Sequence, residues 1–214
     1  MSARTLPPEF LTRLGIFVEP EFLDRDTCQR LSDEMVTGPG APARVTVDDA
    51  EDKLDQAVRR TTIAEVSSAT VELVEERLLR EASAVERHFS VELDGCERPQ
   101  FLLYREGDFI GRHSDGAQEA GAPALFRRRA VSAVVFLNDQ RDDAGGAGAF
   151  TGGGLTFYGL LGDDPRGKAI GLPIQGVAGM LVAFTTDLVH AVTPVISGAR
   201  CTAVSWYMAR PDDG

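Results

Sequence analysis

The sequence predicts a mainly β domain, a sandwich or barrel, that is braced by helices in its N-terminal third. From about residue 99, apolar and polar residues alternate with the period typical of β-strands, and glycine-rich turns separate the segments. Before that point, two longer segments show the helical period instead. Many short strands joined by such turns are typical of sandwiches and barrels. The predicted strands cover residues 101–104, 131–137, 155–158, 180–184, 191–195 and 202–208.

Local signals in the N-terminal third place two helices. The first begins after Asp24, a residue type that caps helix N-termini, and ends near Val36, before a Gly-Pro-Gly-Ala-Pro segment. The second begins after Ser67 or Ser68 and ends near residue 89. Between the helices we expect a loop at 40–56 and a short strand at 60–66. The second helix carries an apolar stripe formed by Val71, Val74, Leu78, Ala82 and Val85.

Length and composition indicate one domain, 1–214, with helical support over about 1–98 and a β core over about 99–208. The formal net charge of −11 argues against nucleic acid as the main partner, because neutralising phosphates requires a basic surface. No apolar run is long enough for a membrane span, and the N-terminus lacks the apolar core of a signal peptide. Three widely spaced cysteines predict reduced thiols and a cytoplasmic location. The oligomeric state is not predicted.

The most informative pattern is His113-Ser-Asp115, followed at a distance by His190. Two imidazoles and one carboxylate form the ligand set that holds non-haem Fe(II) and leaves coordination positions open. Residues two positions apart on a strand point to the same face, so His113 and Asp115 could reach one metal ion. Taken alone, such a pair is more commonly a surface ion pair. Arg200 lies ten residues after His190 and could clamp a dicarboxylate with its planar guanidinium.

The third histidine, His88, lies near the C-terminal end of the second predicted helix. A cationic imidazole interacts favourably with the helix dipole at that position. We therefore expect a structural role for His88 and not a role as a metal ligand.

Several motifs resemble, in order, those of prolyl-4-hydroxylase-type 2-oxoglutarate/Fe(II) dioxygenases. The resemblance covers about residues 99–208, which is half of the chain. Its motifs are the Tyr-x-x-Gly…His-x-Asp strand at 104–115, the strand ending in Leu-Asn at 129–138, the Gly-Gly-x-Leu-x-Phe turn at 152–157, the segment 179–184 leading to His190-Ala-Val-Thr-Pro, and Gly198-x-Arg200 with Trp206.

The resemblance implies a double-stranded β-helix, or jelly roll, with Fe(II), 2-oxoglutarate and O₂ as cofactor and cosubstrates and ascorbate as an optional reductant. It also implies that His113, Asp115 and His190 hold Fe(II), and that Arg200 pairs with the distal carboxylate of 2-oxoglutarate. Tyr104 matches the family tyrosine whose hydroxyl lies near the cosubstrate.

Thr202 and Trp206 lie at even separations from Arg200 on a predicted strand, so all three side chains share one face. We expect Thr202 to touch the cosubstrate and Trp206 to form a wall of the pocket, although a large core residue is an equally good interpretation of Trp206.

One departure from the family pattern concerns the cosubstrate. Many members carry a tyrosine before Leu-Asn, whereas this chain has Phe136, so Arg200 would need other help, from Ser132 or Thr202. The missing hydroxyl also makes the pocket more apolar and argues against a peptidyl-proline substrate. The carboxylate ligand Asp115 favours hydroxylation over halogenation, because related halogenases need that position for halide.

Two long polar loops, 116–128 and 139–153, are expected to form the substrate entrance. The first contains Arg127 and Arg128, part of the only dense basic cluster of an acidic chain. Arginines at this point could meet an anionic substrate, although solvated loop charge is the default interpretation.

Three functional hypotheses stay open at this point. The first is an oxygenase that hydroxylates a small molecule or amino acid, with release of succinate and CO₂. The second is a peptidyl, prolyl-type hydroxylase. The third belongs to another class, a metal-binding jelly-roll module that acts as a sensor or scaffold without turnover. No membrane or nucleic-acid partner is expected.

Overall fold

Two antiparallel β-sheets face each other, and two long helices cover the outer side of the larger sheet. The structure is a computed structural model that describes residues 6–43, 45–47, 51–53, 58–116, 127–143, 148–162 and 164–211. Its helices are α1 (Pro8–Arg13), α2 (Arg25–Thr37), α3 (Ser68–Phe89) and α4 (Pro165–Ala169).

The strands are short, and most of them lie in the second half of the chain. They are β1 (Phe17–Glu19), β2 (Gly40–Pro42), β3 (Val45–Val47), β4 (Glu51–Lys53), β5 (Arg59–Arg60), β6 (Thr62–Ala64), β7 (Leu93–Cys96), β8 (Gln100–Tyr104), β9 (Phe109–His113), β10 (Arg129–Phe136), β11 (Thr151–Gly152), β12 (Leu155–Tyr158), β13 (Gly171–Ile174), β14 (Leu181–Thr185), β15 (His190–Val192), β16 (Val195–Ser197) and β17 (Arg200–Ala209).

The larger sheet has the order β1-β14-β10-β17-β8-β6-β2, with β7 pairing to β17. The facing sheet has the order β13-β12-β15-β9-β5. Two-stranded pairs, β11-β16 and β3-β4, complete the described strands. All pairings between named strands are antiparallel, and neighbours in a sheet are distant in sequence, as in a jelly roll. The predicted fold class is confirmed.

The larger sheet buries both of its faces, because alternate residues of each strand point to opposite sides. On β10, Val131, Ala133 and Val135 join the cluster that packs against α2 and α3. The intervening Val134 and Phe136 pack instead towards the smaller sheet, in a cluster with Leu155, Phe157 and Phe184. The side chains that face the second sheet are therefore the ones that can line a site between the sheets.

The two long helices begin where their capping residues predict. The side chain of Asp24 accepts a hydrogen bond from the Thr27 backbone N–H at 2.8 Å, and Ser67 caps α3 in the same way through Thr70. Glu34 of α2 links the two helices, since its carboxylate accepts from the Thr70 hydroxyl at 2.6 Å. This contact also places a negative charge at the N-terminus of α3, where the helix dipole favours it.

The strands predicted after residue 99 are all present, within a few residues of the expected bounds. The expected loop at 40–56 is wrong in part, because β2, β3 and β4 lie there as short antiparallel pairs. Proline, glycine and acidic composition marks turns, but it does not reveal a nonlocal partner such as β6, which pairs with β2. Most of loop 116–128 and part of loop 139–153 lie outside the described residues.

His88 has the expected structural role but by another mechanism. Its ring packs edge-on against Phe17 at 5.5 Å, and burial lowers its pKa below the usual value. The lowered pKa disfavours the cationic form that was expected to meet the helix dipole.

Within the described residues, no helix is both long enough and apolar enough to cross a membrane. The thiols of Cys28, Cys96 and Cys201 are free, and burial raises their pKa to about 11, 11 and 12 respectively. These thiols therefore carry little thiolate at neutral pH and are poor nucleophiles.

Tyr207 joins the larger sheet to α3 through a fully buried hydrogen bond from its hydroxyl to the Leu78 carbonyl, at 2.8 Å. Tyr207→Phe removes this hydrogen bond, while the Leu78 carbonyl keeps its intrahelical partner in α3, so we expect the free energy of unfolding to fall by about 0.5–1.5 kcal/mol. Urea denaturation measures the change. The control Tyr158→Phe removes a hydroxyl that makes no hydrogen bond within the described residues, and we expect a change below about 0.5 kcal/mol. Equal losses in both variants would contradict this interpretation.

Candidate active site

Strand pairing places the two candidate histidines side by side. In the antiparallel register of β15 with β9, His190 lies directly opposite His113. Directly opposite residues of such a pair have neighbouring side chains, and the two ring centroids are 4.2 Å apart. Phe184 packs against His190 at 4.7 Å, which holds that imidazole at the inner end of the cavity.

Asp115 completes the cluster from the turn that follows β9. One carboxylate oxygen lies 3.4 Å from Nε2 of His113, and the other lies 3.7 Å from Nε2 of His190. One ligand atom from each of the three residues falls within 4.8 Å of the others. The predicted convergence is confirmed, but its reason is not an unbroken strand, because β9 ends at His113. The turn is held by the Asp115 backbone N–H, which donates to Thr186 O at 2.9 Å.

Both imidazoles are oriented by backbone carbonyls. Nδ1 of His113 lies 3.0 Å from Gly111 O, and Nδ1 of His190 lies 2.9 Å from Leu188 O. A carbonyl can only accept a hydrogen bond, so each Nδ1 carries a proton and Nε2 is the nitrogen left to bind a metal ion. This arrangement is typical of metal-binding histidines, where the outer hydrogen bond fixes the tautomer.

The protonation states also suit a cation. Burial lowers the pKa of His190 to about 4, against the opposing charge of Asp115, so this imidazole is neutral at pH 7. Burial acts to raise the pKa of Asp115, but its contacts with His113, His190 and Ser132 outweigh burial and hold that pKa well below its usual value. Ser132 Oγ donates to Asp115 at 2.7 Å and favours the same ionised form.

Arg200 lies fully buried on β17, on the same face of the larger sheet as Ser132 of β10. Its guanidinium stands between the rings of Tyr104 and Phe136, at 4.7 and 5.2 Å from the centroids. Nη1 donates to Thr202 Oγ1 at 3.2 Å, whereas the buried Nε has no partner. Within the described residues, no carboxylate pairs with this cation.

The backbone around Arg200 is clamped by Asn138. The Asn138 amide accepts from the Cys201 N–H at 2.9 Å and donates to the Ala199 carbonyl at 2.6 Å, so it fixes both neighbours of the arginine. Gly153 packs from the other side, where an added Cβ would lie 3.1 Å from Cδ of Arg200 and where φ is +59°. The glycine-rich turn therefore serves close packing against Arg200.

A cavity opens between the sheets and connects these groups. The cavity is lined by the His113, Asp115 and His190 cluster and by Tyr104, Arg200 and Trp206. Its apolar lining includes Leu102, Ile110, Val192 and Val204. Trp206 therefore forms a wall, as expected. The ring of Trp206 stacks on Arg129 at 3.7 Å, and Glu97 holds that arginine bidentately at 2.5 and 2.8 Å.

Three sequence predictions need comment. Ser132 or Thr202 was expected to assist Arg200, and Thr202 contacts its guanidinium, whereas the Ser132 hydroxyl donates to Asp115. Thr202 contacts Arg200 but is absent from the cavity wall described here. Arg128 pairs with Asp94 at 2.8 Å, and neither Arg127 nor Arg128 lines the cavity, so their substrate role stays a prediction without support from the cavity wall.

Sequence reasoning missed Arg59, which lines the cavity from β5. No local pattern around Arg59 distinguishes it from the adjacent Arg60. Only the pairing of β5 with β9 shows that the first of the two arginines belongs to the cavity wall.

The residues present fit both a metal ion and an organic anion. Two imidazoles whose Nδ1 atoms are held by backbone carbonyls and one carboxylate match the ligand set of non-haem Fe(II). A buried guanidinium without a counter-charge is costly, and it fits an anion that enters the cavity with its own carboxylate.

Comparison with known proteins agrees with this reading of the site. The family model of the 2OG-Fe(II) oxygenase superfamily matches residues 99–208. A PKHD-type hydroxylase, YbiX, of Shigella boydii is 27% identical over 194 residues, which cover 89% of this chain and 76% of the relative. A PKHD-type hydroxylase of Shewanella oneidensis is 30% identical over 115 residues, which cover 54% of this chain and 44% of the relative.

Two solved structures share the fold. A prolyl-4-hydroxylase of Pseudomonas putida aligns with a TM-score of 0.67 and 22% identity, covering 95% of this chain and 97% of that chain. A prolyl hydroxylase of Trichoplax adhaerens, solved with a peptide fragment of a hypoxia-inducible factor, aligns with a TM-score of 0.65 and 16% identity, covering 94% of this chain and 86% of that chain.

For the metal cluster, we expect Asp115→Ala to lose nearly all bound Fe(II) or Mn(II), because the only carboxylate of the ligand set is removed. Ser132→Ala keeps all three ligands but frees the carboxylate, so we expect affinity to fall by roughly 10–100-fold. Metal content after dialysis and Mn(II) titration by electron paramagnetic resonance measure both effects. His88→Ala is the matched control, since His88 lies outside the cluster and should keep full binding. Normal metal binding by Asp115→Ala would refute the assignment.

Proposed function

The chain belongs to the 2OG-Fe(II) oxygenase superfamily, and from that premise we propose that it hydroxylates an unactivated C–H bond of a small molecule or amino acid. The family membership makes it an Fe(II)- and 2-oxoglutarate-dependent dioxygenase of the prolyl-4-hydroxylase type. The observation that carries the proposal is the His113, Asp115 and His190 cluster in the same cavity as the buried Arg200.

In this proposal the three clustered residues hold Fe(II) through Nε2 of each imidazole and the Asp115 carboxylate. When bound with 2-oxoglutarate and O₂, the metal supplies the oxidising chemistry that hydroxylates the substrate and releases succinate and CO₂. Other groups of the protein hold these ligands in position. The Gly111 and Leu188 carbonyls hold the imidazoles, and Ser132 holds the carboxylate.

Arg200 anchors the distal carboxylate of 2-oxoglutarate. Its unpartnered Nε and its lack of a protein counter-charge support this role, as does the clamp from Asn138 on the adjacent backbone. Tyr104 and Phe136 keep the guanidinium between two rings, which offers a cation–π contact in place of a hydroxyl from residue 136. The apolar walls keep water away from the bound anion and strengthen the ion pair.

The second candidate is a peptidyl, prolyl-type hydroxylase. The names of the structural neighbours favour it, since both are called prolyl hydroxylases and one holds a peptide. The third hypothesis, a module without turnover, is set aside because the family membership makes this chain an enzyme.

We expect Arg200→Met to weaken 2-oxoglutarate binding by about 2–5 kcal/mol, because the buried carboxylate loses its charged partner. Arg200→Lys should restore only part of this affinity, since it lacks the planar fork. Calorimetric titration of the Mn(II)-loaded protein measures the change. The control Arg112→Gln alters a guanidinium that stacks on Tyr158 away from the cavity, and it should bind normally. Unchanged affinity for 2-oxoglutarate in Arg200→Met would show that another group binds its distal carboxylate.

Turnover separates the substrate classes. With Fe(II), ascorbate and O₂, we expect the wild type to convert 2-oxoglutarate to succinate, and Asp115→Ala to be inactive. Free amino acids and proline-containing peptides are then offered in parallel, and mass spectrometry follows the gain of one oxygen atom. Oxygen in the free amino acids supports the first proposal, whereas oxygen only in the peptides establishes the second. No succinate under any condition would refute an oxygenase.

A further inference from the structure

The cavity contains a second arginine that neither the metal cluster nor the proposed cosubstrate anchor uses. Arg59 lies on β5, opposite Ile110 of β9, and lines the cavity from the smaller sheet. Arg200 lines the same cavity from the larger sheet. The two guanidinium groups therefore enter from different walls of one chamber.

Arg59 has an unmet hydrogen-bonding requirement. Its Nε is buried and makes no hydrogen bond, and no ion pair of Arg59 occurs within the described residues. A buried donor without a partner costs folding free energy, because its hydrogen bonds to water are lost. Such a group in a cavity wall is explained by a ligand that supplies the acceptor.

The other unpartnered atoms point to the same kind of ligand. Within the described residues, four buried side-chain nitrogen or oxygen atoms lack a hydrogen-bond partner: Nε of Arg59, Arg128 and Arg200, and Nε1 of Trp206. All except that of Arg128 belong to residues of this cavity wall, and each is an N–H donor. The cavity wall thus presents N–H donors without partners, and these donors fit a ligand that carries hydrogen-bond acceptors.

The formal charges of the proposed complex balance without Arg59. Among the described residues that line the cavity, Asp115 is the only carboxylate, and it is committed to the two imidazoles and Ser132. In the proposed complex, Fe(II) and Arg200 carry three positive charges, and Asp115 and 2-oxoglutarate carry three negative charges. These four groups neutralise one another, so within the described part of the chain the Arg59 charge is left for a further anion.

We propose that the substrate is an organic acid whose carboxylate binds Arg59. This inference rests on the proposed function and narrows its substrate class. The substrate's body is apolar, because Ile110, Val192 and Val204 line the space beside Arg59. Ile110 precedes His113 by three positions on β9, which corresponds to roughly 10 Å along the strand. An acid held by Arg59 therefore extends towards the metal cluster by its apolar end.

The test is a binding measurement that uses the only tryptophan of the chain, Trp206, which lines the same cavity. The protein is loaded with Mn(II) and 2-oxoglutarate without O₂. Tryptophan fluorescence and calorimetry then follow titration with three apolar acids, hexanoate, benzoate and L-leucine, each compared with its primary amide. We expect the acids to bind and the amides, which have the same shape without the carboxylate charge, to bind at least about 10-fold more weakly.

Variants assign the preference to one residue. Arg59→Gln should lower the affinity for the acids by about 10–100-fold and leave the amides unaffected, because only a charged hydrogen bond is lost. Arg59→Lys should recover part of the affinity through its ammonium charge. The matched control is Arg60→Gln, whose guanidinium is exposed and faces the Phe109 ring at 5.8 Å, and it should keep the acid preference.

Two results would overturn the proposal. One is equal binding of acids and amides to the wild type, or unchanged acid affinity in Arg59→Gln. The other is a weaker affinity of Arg59→Gln for 2-oxoglutarate alone, because that result would show that Arg59 binds the cosubstrate. The acid–amide comparison in the wild type remains decisive even if the Gln variant does not fold. Because it measures binding without turnover, its failure is distinct from a failure of succinate formation.

Discussion

The pairing of β9 with β15 is the constraint on which the rest of the site depends. It brings together His113 and His190, which are far apart in sequence, and it does so through backbone hydrogen bonds and not through the metal. A shift of one residue in this register would turn one imidazole to the opposite face of the sheet. The ligand cluster therefore exists only in one register, and the packing of Phe184 and Phe157 beside His190 favours that register.

The two faces of the larger sheet have different roles. One face packs on α2 and α3 and contains almost entirely apolar residues, which stabilise the fold. The opposite face carries Ser132, Tyr104 and Arg200 into the cavity. A charged residue can be kept on this sheet because its neighbours on the other face contribute the hydrophobic stabilisation, and because Asn138 clamps the backbone on both sides of the arginine.

The cavity is electropositive although the protein is acidic overall. The chain has a formal net charge of −11, yet the cavity wall contains two arginines and a single carboxylate. Charges in a desolvated cavity interact much more strongly than charges on the surface, so the local balance decides which ligands bind. Surface acidity disfavours polyanions such as nucleic acids, whereas the buried Arg200 favours a small carboxylate.

The sequence by itself determined the parts that depend on neighbours along the chain. Asp24 and Ser67 begin the helices because capping is local, and the period-two segments form strands because alternating burial is local. The motifs around His113, Asp115, His190 and Arg200 also predicted residues that the structure brings together in one cavity. Only the tertiary structure decided what depends on pairing across the chain. It showed that Arg59 enters the cavity, that Ser132 holds Asp115, and that Arg128 is paired with Asp94. Strand register and sheet stacking decide these contacts, and both arise from nonlocal burial and hydrogen bonding that no short stretch of sequence encodes.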